Sequence, residues 1–395
     1  MSRITRLPVV YIVTTGRNGS IFFQSLLDSH PQILMISQIF QYPMFWRKNG
    51  EFNKEQLVDK FVEFFPNLFS INNVSFLKFD ELGENQNEIV AVSEQRFRTK
   101  LLDLLSYADE VCEEDFFYAV HYAYDFARTG KDATDKKIIV HHIHDVYELL
   151  TVKPLHSDAR AIALSRDPRA AIKSTFVSKT KITEHCNIAY FYRQVITSLM
   201  DISELTRNRK NLDCAALRLE DIHNFQKLIL ERICEYITID FDPVLLESTI
   251  YGYKWWGDSA TERKVNGFIE NFEDNSWLSF YSNMDMKVMA YFFRNRFANF
   301  GYDPKVKAVG KYMAFMLLLL PMKAEREYLV NGSLAGIRGG VFFVRLWRVI
   351  YLGFKFRKML FKQDKLINTN YFYINVLQPK SSQNFNHGQK MPNVA

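Results

Sequence analysis

Residues 9–27 constrain the chain more than any other stretch. Val9-Val10-Tyr11-Ile12-Val13 is an unbroken apolar run, β-branched and aromatic, as in a parallel strand buried on both faces. A turn with two glycines follows, Thr14-Thr15-Gly16-Arg17-Asn18-Gly19-Ser20. Phe22, Phe23, Leu26 and Leu27 then recur at helical spacing, and Pro31 closes the segment. In a strand–glycine turn–helix unit, free backbone N–H groups and the positive end of a helix dipole converge on one point, where a phosphate or sulfate fits. Arg17 adds a fixed charge with a planar fork of donors, and Ser20 adds a hydroxyl at the helix start. The competing reading is an ordinary βα turn with a solvated arginine. A Walker loop ends in Gly-Lys-Ser/Thr, but Gly19-Ser20 has no lysine, and the dinucleotide glycine triplet is also absent. Nucleoside triphosphate and NAD readings therefore lose support.

The 395 residues are 48% hydrophobic and 15% aromatic, enough for a real core in one large domain or two smaller ones. A formal charge of +6 suits an anionic substrate or membrane surface better than duplex DNA. Cys112, Cys186, Cys214 and Cys234 have no metal or redox spacing, so free thiols in a reducing compartment are expected. The early apolar run, Leu7 to Val13, is too short for a secretory signal, and the expected location is cytoplasmic.

Three further strands are expected. The first is Lys137–His144, where His141-His142-Ile143-His144 invites a metal reading. Alternate strand residues face opposite ways, so only His142 and His144 share a face, and no further ligand lies at zinc spacing. Polar strand-end histidines and a catalytic histidine both remain open, and no metal is expected. The second is Ala161–Ser165, running into Arg166-Asp167-Pro168-Arg169, with Pro168 suited to a first helical turn. Arg166 then sits at the carboxyl end of a strand, the usual ligand edge of a parallel sheet. Ser174 follows eight residues on, about two turns away, within reach of the same ligand. The third is Ala215–Leu219, followed by a helix over 222–237. Residues 37–135 read as mostly helical, with a loop from Gly83 to Gln95 and an amphipathic helix from Phe97 to Val111. Phe61, Phe64, Phe65, Leu68 and Phe69 there read as core or as a pocket wall. Repeated strand–helix units predict an α/β fold: a three-layer parallel sheet with a P-loop-like phosphate-binding loop.

Three segments together resemble the sulfotransferases that use 3′-phosphoadenosine-5′-phosphosulfate (PAPS). Thr15-Gly16-Arg17-Asn18-Gly19-Ser20, continuing to Leu26-Leu27-Asp28-Ser29-His30-Pro31, resembles their 5′-phosphosulfate loop and helix. Arg166-Asp167-Pro168-Arg169 with Ser174 resembles their 3′-phosphate motif, and Leu217-Arg218-Leu219-Glu220-Asp221-Ile222 resembles a strand end in which Leu219 replaces a tyrosine. Trp277 to Tyr302 resembles their closing helices. The likeness covers roughly residues 8–304. It implies a donor held by the loop Thr15–Ser20 at its 5′ end, by Arg166 and Ser174 at its 3′-phosphate, and by Arg263 and Lys264 from a late basic loop. Arg17 would also serve the chemistry. The acceptor hydroxyl needs a general base. Some relatives use a histidine in a Lys-Thr-His-Leu-Pro stretch. His142 falls at that histidine, with His144 behind it, while that lysine and proline are missing. Other relatives use a glutamate after the first helix, where this chain has Ile36-Ser37-Gln38-Ile39.

Beyond Pro304 a helical extension to about 380 is expected, then a polar, disordered tail over 381–395. Met313–Leu320 is apolar but ends at Pro321, short of the ~20 residues a spanning helix needs. Residues 341–362 read as a basic amphipathic helix. Arg345, Arg348, Lys355, Lys358 and Lys362 lie on one side; Phe342, Phe343, Leu346, Val349, Ile350, Gly353 and Phe354 lie on the other; Arg357 interrupts the apolar face. That helix suits either an anionic membrane surface or packing against the domain or a second subunit. The expected activity is sulfuryl transfer from PAPS to a hydroxyl or amine of a glycan or lipid-linked glycan, at the inner membrane face. The alternatives are a non-catalytic PAP/PAPS-binding or membrane-adaptor protein and a nucleotide or sugar kinase. No nucleic-acid partner is expected.

Overall fold

The computed structural model describes residues 4–14, 16–69, 81–90, 92–143, 148–149, 156, 158–183, 188–207, 213–257, 266–272, 274–330, 340–367 and 375–376. Thr15, His144, Cys186, Arg263, Lys264 and the expected tail over 381–395 lie outside the described residues.

Along the first half the elements are β1 (Val9–Val13), α1 (Ser20–Leu27), β2 (Ile33–Met35), α2 (Tyr42–Asn49), α3 (Lys54–Phe64), α4 (Glu94–Leu104), α5 (Glu113–Thr129) and β3 (Ile138–Ile143). Then come β4 (Arg160–Ser165), α6 (Pro168–Thr183), α7 (Ile188–Arg207), β5 (Asp213–Arg218), α8 (Leu219–Asn224) and α9 (Gln226–Ile237). A small antiparallel pair, β6 (Thr249–Ile250) and β7 (Tyr253–Lys254), precedes α10 (Asn283–Phe292) and α11 (Arg294–Phe300). The extension holds α12 (Lys311–Leu318), α13 (Lys323–Val330), α14 (Gly340–Ile367) and β8 (Asn375–Val376).

The main sheet runs β2-β3-β1-β4-β5-β8, and every pairing in it is parallel. All its strands therefore end at one edge. The pleat divides the core into two layers. Val10, Ile12, Val140, Ile162 and Leu217 face α1 and α9, packing on Phe23, Leu26, Leu27, Ile229 and Ile233. Tyr11, Val13, Ile139, Ala161 and Ala216 face the opposite way, against the helices of 37–129 and those after 168. The fold is thus a three-layer α/β sandwich with a helical carboxyl-terminal part.

The aromatic segment packs on itself. Phe61 lies between Phe45 at 5.3 Å, Phe65 at 5.0 Å and Phe97 at 5.5 Å between ring centroids. Phe61 and Leu68 are buried in the core, and Phe64, Phe65 and Phe69 pack partly buried against it. The amphipathic helix of this region spans Glu94–Leu104 and starts at a Ser93 cap. β2 and β8 were not expected. The strand expected at Ala215–Leu219 spans Asp213–Arg218, and the helix after it is two, split at Phe225.

α14 departs from the expected wheel. Phe356 and Leu360 are buried, with Phe356 stacked on Tyr192 at 4.7 Å, while Val349 packs partly buried. Ile350 and Phe354, on the expected apolar side, are exposed. Arg357 turns inward and grips the buried Glu325 at 2.9 Å, and Glu325 also accepts from the Met322 N–H at 2.6 Å. A wheel separates apolar from charged. It cannot tell which apolar sector the domain covers.

Candidate functional site

The loop after β1 supplies the cradle. Gly16, Arg17 and Gly19 adopt left-handed backbone, with φ of 87°, 58° and 82°. Such a run turns successive N–H groups inward, and α1 begins at once at Ser20. At Gly19 two constraints coincide. An added Cβ would sit 2.4 Å from Leu219 Cδ1. Gly19→Ala is therefore expected to destabilise the fold by about 1–3 kcal/mol, since it combines a left-handed backbone with overpacking. Urea unfolding measures this; an unchanged midpoint would show that the loop is not held as described.

β1 and β4 are neighbours, with Val13 opposite Ala163, so Arg166 emerges beside the loop. Arg166 Nη1 donates to the Arg17 carbonyl at 3.2 Å. Arg17 Nε donates to Ser174 Oγ at 3.0 Å, across 157 residues. Gln194 of α7 donates to the Gly16 carbonyl at 3.3 Å. The structure thus brings together Arg17, Arg166 and Ser174, with Gly16, Asn18, Gly19 and Ser20 around them.

The remaining parts of the second motif brace it. Arg169 is buried and donates to Asp167, to the Pro304 carbonyl at 2.9 Å and to the Asp303 carbonyl at 2.6 Å. Its guanidinium carbon lies 3.9 Å from the Trp277 ring centroid. Glu220 accepts from the Asp167 N–H and the Tyr302 hydroxyl, both at 3.1 Å. Burial raises the Glu220 carboxyl above its ordinary value. So Arg166 and Ser174 reach the site, while Asp167, Arg169 and Glu220 hold the turn between them.

Asp274 was missed by the sequence reading. It forms an ion pair with Arg166 Nη2, and Ser276 Oγ donates to its other oxygen at 2.6 Å. Burial alone would raise the Asp274 carboxyl, but Arg166 and Ser276 overcome that and hold it below its ordinary value. Among the described residues, buried side-chain atoms without a hydrogen-bond partner include Thr14 Oγ1, Arg166 Nε and Thr175 Oγ1 here, beside single atoms of His141, His142, His156, Ser165 and Asp285. The first three belong to segments forming the site, and buried orphans are rare in native structures. A donor set of two arginines, two hydroxyls and turned backbone amides fits a multiply charged anion.

His142 lies on β3 opposite Ile12, on the α1 side of the sheet. Its Nδ1 is 2.6 Å from Gln24 Oε1, and Gln24 Nε2 donates to the Ile36 carbonyl at 3.1 Å. His142 is 3% exposed. His141 points the other way, as the pleat requires, into a buried group with His121, His156 and Tyr11. Among the described residues no group of three His, Cys, Asp or Glu could hold a metal.

No protein-family model and no curated protein matches the chain. Solved structures that resemble it include a sulfotransferase domain from the curacin biosynthetic pathway. That domain is 16% identical, with a TM-score of 0.41 over 67% of this chain and 85% of the domain. A sulfotransferase domain from the Synechococcus PCC 7002 olefin synthase is 17% identical, with a TM-score of 0.35 over 78% of this chain and 92% of that one.

Proposed function

We propose that this chain transfers a sulfuryl group from PAPS to a hydroxyl, or an amine, of a glycan or lipid-linked glycan. The observation that carries the reading is the meeting of Arg17, Arg166 and Ser174 at one sheet edge, beside orphaned buried donors. When bound, the donor supplies a sulfuryl group attached to a phosphate leaving group. The loop amides and Arg17 would stabilise the charge growing on that phosphate. Arg166 and Ser174 would hold the second phosphate and fix the adenosine end. By the resemblance, Arg263 and Lys264 would add positive charge for it. His142 would accept the acceptor proton on Nε2, with Nδ1 tied to Gln24, and His144 would be the second candidate for that role. The glycan class draws on the family likeness and on the basic extension, which suits a membrane-borne acceptor.

Calorimetry with PAP and turnover of labelled PAPS with candidate glycans test this. Arg166→Ala is expected to weaken PAP binding about 10- to 100-fold, the share of a charge-assisted contact to phosphate. Equal affinity in wild type and variant would remove Arg166 from the site. Failure to bind PAP, or competition by ATP or NAD in a thermal-shift screen, would sink the reading. A second reading is a protein that binds PAP without turnover. The burial of His142 favours it, and PAP binding with no transfer to any acceptor would establish it.

A further inference from the structure

α14 is partnered on one side only. Val349, Phe356 and Leu360 settle on the domain, while Trp347, Ile350, Phe354 and Phe361 line the outer surface. Trp347 and Phe354 are 65% and 69% exposed. These positions sit at i, i+3, i+7 and i+14, one continuous stripe along the helix. Tyr351 stacks on Trp347 at 6.1 Å, and Lys355 lies 4.3 Å from the Tyr351 ring centroid.

The end of α12 widens the stripe. Phe361 stacks on Phe315 at 4.0 Å, and Arg357 donates to the carbonyls of Leu318 and Leu320. Next to that junction Met316 and Leu319 are exposed. Monomeric proteins rarely leave so many large apolar side chains in water together.

Charge selects the occupant. Residues 340–367 contain seven basic residues, from Arg345 to Lys365, and one acidic residue, Asp364. On the helical wheel Arg348, Lys355 and Lys358 follow directly beside the aromatic stripe, on the side away from the domain. A second copy of this face would bring like charge against like, which opposes self-association. An acidic, two-dimensional surface with an apolar interior satisfies both the cations and the rings. Among the described residues no helix is long and apolar enough to cross a membrane.

We propose that the outer face of α14, with the adjoining end of α12, lays this protein flat on an anionic lipid bilayer, rings in the headgroup boundary and cations against the phosphates. The inference stands apart from the proposed chemistry.

Vesicle flotation of the full chain tests it, with phosphatidylcholine alone and with added phosphatidylserine. The expected result is binding to the anionic vesicles, weakened by salt as screening shortens from about 10 Å at 0.1 M to about 3 Å at 1 M. Trp347→Ala/Phe354→Ala and, separately, Arg348→Glu/Lys355→Glu should each reduce binding about tenfold or more, with melting temperature and PAP affinity unchanged. No binding to anionic vesicles would overturn the proposal. So would variants that bind as wild type does. A concentration-dependent dimer that dissociates on Trp347→Ala/Phe354→Ala would assign the face to a second copy instead. Because PAP affinity is read in the same samples, loss of the membrane contact and failure of the sulfuryl-transfer reading are separately visible.

Discussion

His142→Ala is expected to lower turnover of PAPS about 10²- to 10⁴-fold while leaving PAP affinity where it is. One amide fixes the tautomer of the ring. Gln24 Nε2 donates to the Ile36 carbonyl, so Gln24 Oε1 faces His142 and can only accept. The Nδ1 of the ring must then carry the proton. A neutral imidazole so fixed holds its lone pair on Nε2, the atom a base uses. His142 is on the sheet beside the phosphate loop, one strand over from the chain that makes it. Single-turnover assays with labelled PAPS separate chemistry from binding. Full turnover in the variant would place the base elsewhere. A fall in melting temperature with lost PAP binding would make His142 a strut of α1.

Acid is expected to unfold this protein earlier than its carboxylates alone would require. His121, His141 and His156 lie together on the other side of the sheet. His121 Nδ1 donates to the Phe117 carbonyl at 2.8 Å, His141 Nδ1 is 3.4 Å from His121 Nε2, and His156 Nδ1 is 2.6 Å from the Tyr11 hydroxyl. Burial lowers His121 to about 4 and, with the charge of a neighbouring ring, lowers His156 to about 3. His141 is held well below its ordinary value by burial and then by its histidine neighbours. The unfolded chain titrates near 6.5, so below that pH it binds more protons than the fold does, and stability falls as pH falls. Between pH 7 and 5 each such ring is expected to cost about 2 kcal/mol, so the cluster removes a large part of an ordinary domain's 5–15 kcal/mol. Urea midpoints across that range measure it. His141→Leu should flatten the slope by roughly one ring's share, and an unchanged slope would show that the group stays neutral in both states.

β1, β3, β4 and β5 were legible because each holds a short apolar run, rich in β-branched residues in β1 and β3 and in alanine in β4 and β5, closed by a glycine turn, by histidines or by a charged residue. β2 has three residues and β8 has two, too few to show a period. Arg17, Arg166 and Ser174 were legible as types at strand ends. Their meeting was not, since the Arg17–Ser174 contact spans 157 residues and is set by the register of β1 on β4. Asp274 pairs with Arg166 across 108 residues and has no motif of its own. Whether the apolar face of α14 meets a membrane or the domain stayed open in the sequence, because hydrophobicity along a helix does not record what covers it.

An anion that approaches Arg166 meets a guanidinium already engaged. The carboxylate of Asp274 would act as a resident plug on Nη2, so a newcomer at that nitrogen gains less than a bare ion pair. Stray monoanions then have little to win at this edge, whereas a ligand gripped at both ends can evict the plug. Selectivity for a doubly charged guest would follow from that rivalry before any base or ring is recognised.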